Sequence, residues 1–469
     1  MMRSIARIVG VQGPNWLIIL PVISISNLYW MWPQVHNEIA ITIQRHADLP
    51  TWHLVLSLVP VLAEAAPTLA IVVGVLLLLA PGRRFLALRK KFRTREKGHL
   101  DAQLHGILTE AREYMAKRGQ ALAISYNFAD TRLICFAHPR KWLRQGITLG
   151  GAFAMSWYAD RPIAKIFLKH ELAHIARGDG LFIGVGSPLD FVLRRWLLMA
   201  ALTILVPATL LATGNSLVVF GAVEKIRHFN AGIDYRASDF ELSILQSLDV
   251  EVLARLATVW DSVSLTFNEE FPLWWQGLHG SAGMLFFENA VAFMLPILAV
   301  WGAEFGADRQ SIDDAGEGKR LDGWLREQAQ GSSIWQSLMN GLSHPPFAVR
   351  RLMLKVKSDI IFQLLMTLMF PAGFLSMALM ILGRDTWIYL EGLAQPQQIQ
   401  RDLAGFYFDM SRFEIPFCGA FLILRALVLA PLRAALSSAI GAIIGISLIA
   451  IPLVLSPQQL YLWLLRYGG

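Results

Sequence analysis

Charge is what this 469-residue chain has least of: 16% of its residues are charged, 55% are hydrophobic, and the mean hydropathy is +0.46. A soluble globular protein carries about 25% charged residues, so the chain is too apolar to dissolve whole. Cysteine is nearly absent. Only Cys135 and Cys418 occur, the second inside an apolar run, which excludes a disulfide framework and a cysteine-built metal centre. There is no internal repeat and no low-complexity tract, so fibrous and disordered classes fall away as well. What charge there is sums to +7. In a membrane protein its placement matters more than its sum. The composition therefore describes a polytopic membrane protein with a sizeable water-facing part.

A helix needs about 20 predominantly apolar residues to cross the hydrocarbon core. Seven stretches qualify, at about 16–33, 54–80, 196–222, 282–302, 360–382, 414–431 and 434–455. The first follows Arg3 and Arg7 as a signal peptide would. It is flanked instead by Trp16, Tyr29, Trp30 and Trp32, residues that anchor at interfaces, and no small-residue cleavage site follows. The aromatic, leucine-rich piece 458–467 suits an interfacial position. Orientation follows from lysine and arginine. Eight basic residues stand against the single acid Glu96 between Arg83 and Lys97, directly after the second stretch, which keeps that block cytoplasmic. The resulting topology puts 34–53 and 223–280 outside, and 83–190 and 303–358 inside. Segment 223–280 holds nine acids and four bases, whereas 303–358 carries eight lysines and arginines, in keeping with that assignment. The inward segments total about 160 residues, enough for a folded domain. The basic block reads as topology and headgroup contact, with no nucleic acid implied.

Within the inward part, 101–118 has helical spacing through Leu104, Ile107, Leu108, Ala111, Tyr114 and Met115. Residues 121–153 read as extended runs at 121–126, 133–137 and 146–153, separated by polar turns. Helical spacing returns from Pro162, with Ile163, Ile166, Phe167, His170 and His174 on or near one face.

That helix carries His170-Glu171-Leu172-Ala173-His174. Histidines at i and i+4 project from one side of a helix and can reach one zinc ion, with Glu171 beside them as a general base. The plain alternative is two core histidines on an amphipathic helix. A catalytic zinc needs a third protein ligand and an open position. Glu304, at the inner end of the fourth stretch, offers a carboxylate oxygen. Asp308, one turn further on, is placed to accept a hydrogen bond from the second nitrogen of a zinc histidine. In Ser343-His344-Pro345-Pro346-Phe347-Ala348-Val349-Arg350, the prolines hold a rigid turn that can aim His344 at an oxyanion, with Arg350 free to pair with Asp308 or another carboxylate of the site.

The ordered set HELAHIARGD, EFGAD and SHPPFAVR resembles the HtpX-like integral-membrane zinc metallopeptidases, relatives of the CAAX prenyl proteases. The resemblance covers residues 121 to about 355. It implies one zinc per chain held by His170, His174 and Glu304, with Glu171 as base and Asp308, His344 and Arg350 in support. Gly151, Ala152 and Phe153, with Ala154, are similar to the Asn-Ala-Phe-Ala of that family, which implies an edge strand along which an extended substrate lies. Gly151 stands where the family has asparagine, and three additional apolar stretches follow the last motif. The HELAHIxRGD of the penicillin-sensor (BlaR- or MecR-type) membrane metallopeptidases is also similar, but those lack the His-Pro-Pro element.

The expected fold class is mainly α. It is a polytopic membrane protein of about seven transmembrane helices with a cytoplasmic zincin-like α+β metalloprotease domain built from two segments. The expected division is an N-terminal transmembrane hairpin, 1–82, and a catalytic segment with HExxH, 83–190. A transmembrane pair with the acidic loop follows at 191–302, then a catalytic segment with the third ligand, 303–358, and C-terminal helices, 359–469. The resemblance implies a zinc endopeptidase of a bacterial inner membrane, its site facing the cytoplasm. Its substrates would be membrane or membrane-associated polypeptides, in protein quality control. Two other readings compete: a sensor-type peptidase of narrow specificity whose 223–280 reads an outside signal, and a non-enzymatic transporter or assembly factor. The last would use Glu64 and Glu288, carboxylates inside apolar stretches.

Overall fold

The computed structural model describes residues 13–45, 51–76, 102–116, 122–127, 135–139, 145–183, 189, 192–193, 195–213, 252–312, 315–331, 342, 344–390, 414–429, 439–440 and 443–444. The basic block 83–97, the part 223–251 of the acidic segment 223–280, nearly all of the stretch 434–455, the piece 458–467 and Ser343 lie outside them. In chain order the elements are α1 (Leu20–Arg45), α2 (Thr51–Leu76), α3 (Ala102–Ala116), β1 (Ala123–Asn127), β2 (Cys135–Pro139) and β3 (Gln145–Gly150). There follow α4 (Gly151–Ala159), α5 (Arg161–Arg177), α6 (Trp196–Ala200), α7 (Val252–Ser311), α8 (Ala315–Gly331), α9 (Phe347–Lys355), α10 (Asp359–Leu390) and α11 (Glu414–Leu429). The described chain is thus mainly helical, with one three-stranded sheet.

Two helical stretches are long and apolar enough to cross a membrane, Trp274–Ser311 in α7 and Asp359–Met377 in α10. Four of the other apolar stretches are shorter apolar helices, at Trp16–Ser26, Val61–Val75, Leu198–Thr213 and Phe417–Val428. Helix α7 packs along α10 and also meets α2 and α5. It runs unbroken from Val252 through the apolar stretch to Ser311, so the expected boundary at 302/303 falls inside one helix. The consequence is that Glu304 and Asp308 are fixed rigidly to the apolar body.

The core of that body joins Trp16, Leu17, Ile71, Val75, Phe293, Phe370, Phe374 and Leu422. Trp16 is buried and stacks on Phe370 at 4.5 Å, and its indole N–H donates to the Met366 carbonyl at 3.1 Å, so the polar end of a large apolar ring is satisfied. Two further polar contacts tie these helices together. Thr203 donates to Asn289 Oδ1 at 2.7 Å, joining the short π turn Ala201–Leu205 to α7. Glu288 is ion-paired with Arg384 of α10. The side chain of Glu64 lies outside the described set.

The sheet has the order β1-β3-β2, with β1 parallel and β2 antiparallel to β3. Ile147 and Leu149 of β3 are fully buried and meet Met115 of α3, Phe153 and Trp157 of α4, and Leu168, Leu172 and Ile175 of α5 in a second core. Helix α5 is well punctuated. The Asp160 side chain caps it by accepting from the Ile163 N–H at 3.3 Å, Pro162 sits in its first turn, and Gly178 ends it with φ 84°.

One expectation is corrected here. Gly151, Ala152 and Phe153 are not strand but the first turn of α4, which begins directly after β3. Gly151 and Phe153 are buried. β3 itself is central and paired on both sides, so it has no free edge for a substrate. A short apolar run of small residues has no periodicity that separates strand from buried helix. The edge beside α5 belongs to β2 instead.

Candidate metal centre

His170 and His174 lie one turn apart on α5, and Glu304 reaches them from α7. Their ligand atoms all fall within 4.8 Å of one another. The two Nε2 atoms are 3.1 Å apart, and they lie 3.4 Å (His170) and 3.5 Å (His174) from the Glu304 oxygens. A tetrahedral zinc with bonds of ~2.0–2.1 Å separates its donors by about 3.3 Å. The residues therefore fit such an ion, and two imidazoles with one carboxylate form a donor set suited to zinc. Three protein donors leave a fourth position, and two of them, His170 and Glu304, line a cavity of about 330 Å³ also bordered by Glu171, His344 and Arg350.

Each histidine turns its second nitrogen towards a carboxylate. His170 Nδ1 lies 3.0 Å from Asp308 Oδ1, and His174 Nδ1 lies 3.5 Å from Asp179 Oδ2. A carboxylate at Nδ1 fixes the tautomer that leaves Nε2 as the donor to a metal. Both carboxylates are themselves anchored. Arg350 grips Asp308 with two hydrogen bonds, 2.8 Å from Nε and 2.5 Å from Nη2, and its Nη1 is 3.8 Å from Glu304. Arg177 donates to Asp179 at 2.7 Å, and Asn15 donates to the Arg177 carbonyl at 3.0 Å. The Arg177 guanidinium lies against Gly306, where an added Cβ would stand 2.0 Å from Nη1, so only glycine admits this packing.

Asp179 and Arg177 had no role assigned from the sequence, although both stand in the quoted HELAHIARGD. Their placement depends on Gly178, whose left-handed conformation turns the chain so that Asp179 comes back beneath His174. His344, at the Pro-Pro turn, sits with Nδ1 3.1 Å from Glu304 Oε1. Glu171 is not in the donor set. Its Oε2 accepts the Ala137 N–H of β2 at 2.5 Å, which brings the sheet edge beside the centre. The structure thus gathers His170, Glu171, His174, Glu304, Asp308, His344 and Arg350 in one place, and leaves Gly151, Ala152 and Phe153 out of it.

Electrostatics follow from this packing. Burial works to lower the His170 pKa, but the hydrogen bonds to Asp308 and Glu304 outweigh it and the pKa is raised. For His174 burial again opposes, and Asp179 and Glu304 push the pKa up to about 10. Burial opposes charge on Arg350 too, and the Asp308 carboxylate overcomes it and holds the guanidinium protonated. Burial, and then Glu171, raise the Cys135 thiol, which keeps it un-ionised.

A pH dependence follows. A folded-state pKa raised above its unfolded value means that His174 stabilises the metal-free protein fully below about 6.5. That contribution is lost as pH rises through about 10. Ligation needs the unprotonated nitrogen, so zinc uptake near neutral pH must expel at least one proton and must strengthen as pH rises. Calorimetric titration with zinc in two buffers of different ionisation enthalpy will give different heats. Identical heats would show that no ligand was protonated beforehand.

Comparisons of the chain with family models, with curated proteins and with solved structures found no match.

Proposed function

We propose that the chain is a membrane-embedded, zinc-dependent endopeptidase of the HtpX-like kind, cutting membrane or membrane-associated polypeptides from the cytoplasmic side in protein quality control. The reading is carried by one observation: two helical Nε2 atoms and a carboxylate gathered within 4.8 Å of one another, with a glutamate between the histidines and a cavity beside them. In this reading the shorter apolar helices join α7 and α10 in the membrane. The sheet with α3, α4, α5, α8 and α9 forms a zincin-like domain at its surface.

His170, His174 and Glu304 would hold the zinc, which would supply Lewis acidity towards the scissile carbonyl and the attacking water. Glu171 takes a proton from that water and later delivers it to the leaving amine. Its present partner, the Ala137 N–H, is a backbone donor on the free edge of β2, so a substrate carbonyl arriving there frees the carboxylate for this work. An extended substrate adds to that edge through main-chain hydrogen bonds, which bring little sequence selectivity. With Nδ1 of His344 turned to Glu304, Nε2 faces the substrate and donates to the oxyanion when the ring carries both protons. Asp308, Arg350, Asp179 and Arg177 position these groups without touching substrate. The test is cleavage of casein by zinc-loaded protein in detergent, wild type against Glu171→Gln.

A further inference from the structure

The cavity at the centre has two unlike ends. One is polar, formed by His170, Glu171, Glu304 and Arg350. The other is apolar: Phe167, Trp324 and Phe347 form its wall over the buried Ile166 and Leu321. Trp324 meets Phe167 edge-on with ring centres 4.8 Å apart, and Phe347 at 6.2 Å. These rings are half-buried, so part of each still faces open space.

Their position follows from helical spacing. Phe167 and Ile166 precede His170 by three and four residues on α5, which puts them about one turn, ~5.4 Å, along the same face from a metal ligand. Phe347 is likewise tied to the centre, because the Pro345-Pro346 turn separates it from His344. Trp324 comes from α8, which is held by Leu321 and Leu325 buried against Ile163 and Ile166, with the ion pairs Lys169–Glu317 at 2.9 Å, Arg351–Asp322 at 2.8 Å and Arg320–Asp160 at 3.4 Å around it nearer the surface. The wall is built before any ligand arrives, which lowers the ordering cost of binding. A cavity of about 330 Å³ is near the small end of ligand pockets, with room for a few atoms beyond the reacting bond.

We propose that Phe167, Trp324 and Phe347 form the specificity subsite of this centre, taking a large apolar side chain from a residue that flanks the scissile bond. This rests on the endopeptidase reading. It adds to the unselective main-chain docking one position at which the substrate is chosen. The substrate class is then an extended segment with a leucine-sized or aromatic residue at the cut, such as an unfolded or extracted membrane helix exposes.

The probes are N-acetyl-leucine hydroxamate and N-acetyl-glycine hydroxamate, which share a zinc-chelating group and differ only in the side chain. Their affinities are measured by calorimetry on the zinc-loaded full chain. The leucine compound is expected to bind at least about tenfold more tightly. Trp324→Ala should bring the ratio towards one and Trp324→Phe should keep most of it, with zinc content confirming that each variant folds. A ratio near one in the wild type, or an undiminished ratio in zinc-replete Trp324→Ala, overturns the subsite and leaves the metal centre standing. If neither compound binds zinc-loaded protein, the centre is not an open catalytic one and the endopeptidase reading falls with the subsite.

Discussion

Glu171→Gln is expected to lower peptide cleavage by ~10²–10⁴-fold, the usual contribution of a positioned general base. The size of the loss follows from how little else changes. Glutamine has the same shape, and its carbonyl oxygen still accepts the Ala137 N–H, so the link between α5 and the edge of β2 survives. Glu171 lies outside the group of ligand atoms formed by His170, His174 and Glu304, so zinc content should stay at the wild-type level. What disappears is the ability to take a proton. Casein cleavage measured alongside zinc content separates this from unfolding. Equal cleavage by both proteins would place the base elsewhere or identify a contaminating protease. A zinc-free variant would make Glu171 a ligand and void the mechanism.

Glu304→Ala should have the second large effect, on the metal and on the metal-free fold together. Glu304 is almost wholly buried and faces His170, His174, His344 and Arg350. Replacing a supporting carboxylate behind a zinc histidine costs ~10–100-fold in metal affinity, so loss of a direct ligand should exceed ~100-fold. Removing the carboxylate also leaves buried positive groups without their shared anion, a change that typically costs about 3–5 kcal/mol. Asp308→Asn is the graded comparison. It keeps His170 in place more loosely and should fall in the ~10–100-fold range. Competition titration against a chromophoric chelator reads both. Equal losses in the two variants would mean that Glu304 is not a ligand.

How far the centre could be read from sequence depended on whether regular geometry carried each residue. His170, Glu171 and His174 were legible because a helix fixes the direction of i and i+4. Glu304 and Asp308 share that spacing on α7, but spacing alone did not single them out; their place at the inner end of an apolar stretch and the resemblance carried by EFGAD did. Arg350 was placed by charge: a buried carboxylate needs a cation, and Asp308 has one in two hydrogen bonds. Asp179 was not legible, since its return to His174 hangs on one left-handed glycine, a backbone event with no side-chain period. Nor was the aromatic subsite, because Trp324 belongs to a helix that docks by burying Leu321 and Leu325 against Ile163 and Ile166, residues far away in sequence.

The fold divided along the same line. Apolar length marked α7 and α10, but not the continuity of α7 from Val252 to Ser311. Residues before the apolar stretch mix apolar with charged and polar side chains yet are helical, and a search for long apolar runs is blind to that. The reverse held at 146–153, where an apolar run was read as strand to its end. The chain leaves the sheet at Gly150 and turns helical within one residue. That misreading put an edge strand at Gly151, Ala152 and Phe153, whereas the sheet edge beside α5 is β2.

The most direct measurement is X-ray absorption at the zinc edge on protein purified without added chelator and loaded with one equivalent of zinc. The account predicts one bound zinc per chain with two imidazole nitrogens at ~2.0–2.1 Å, one carboxylate at ~2.0–2.2 Å and a light fourth ligand. A sulfur ligand, a single imidazole, or failure to retain zinc would contradict it.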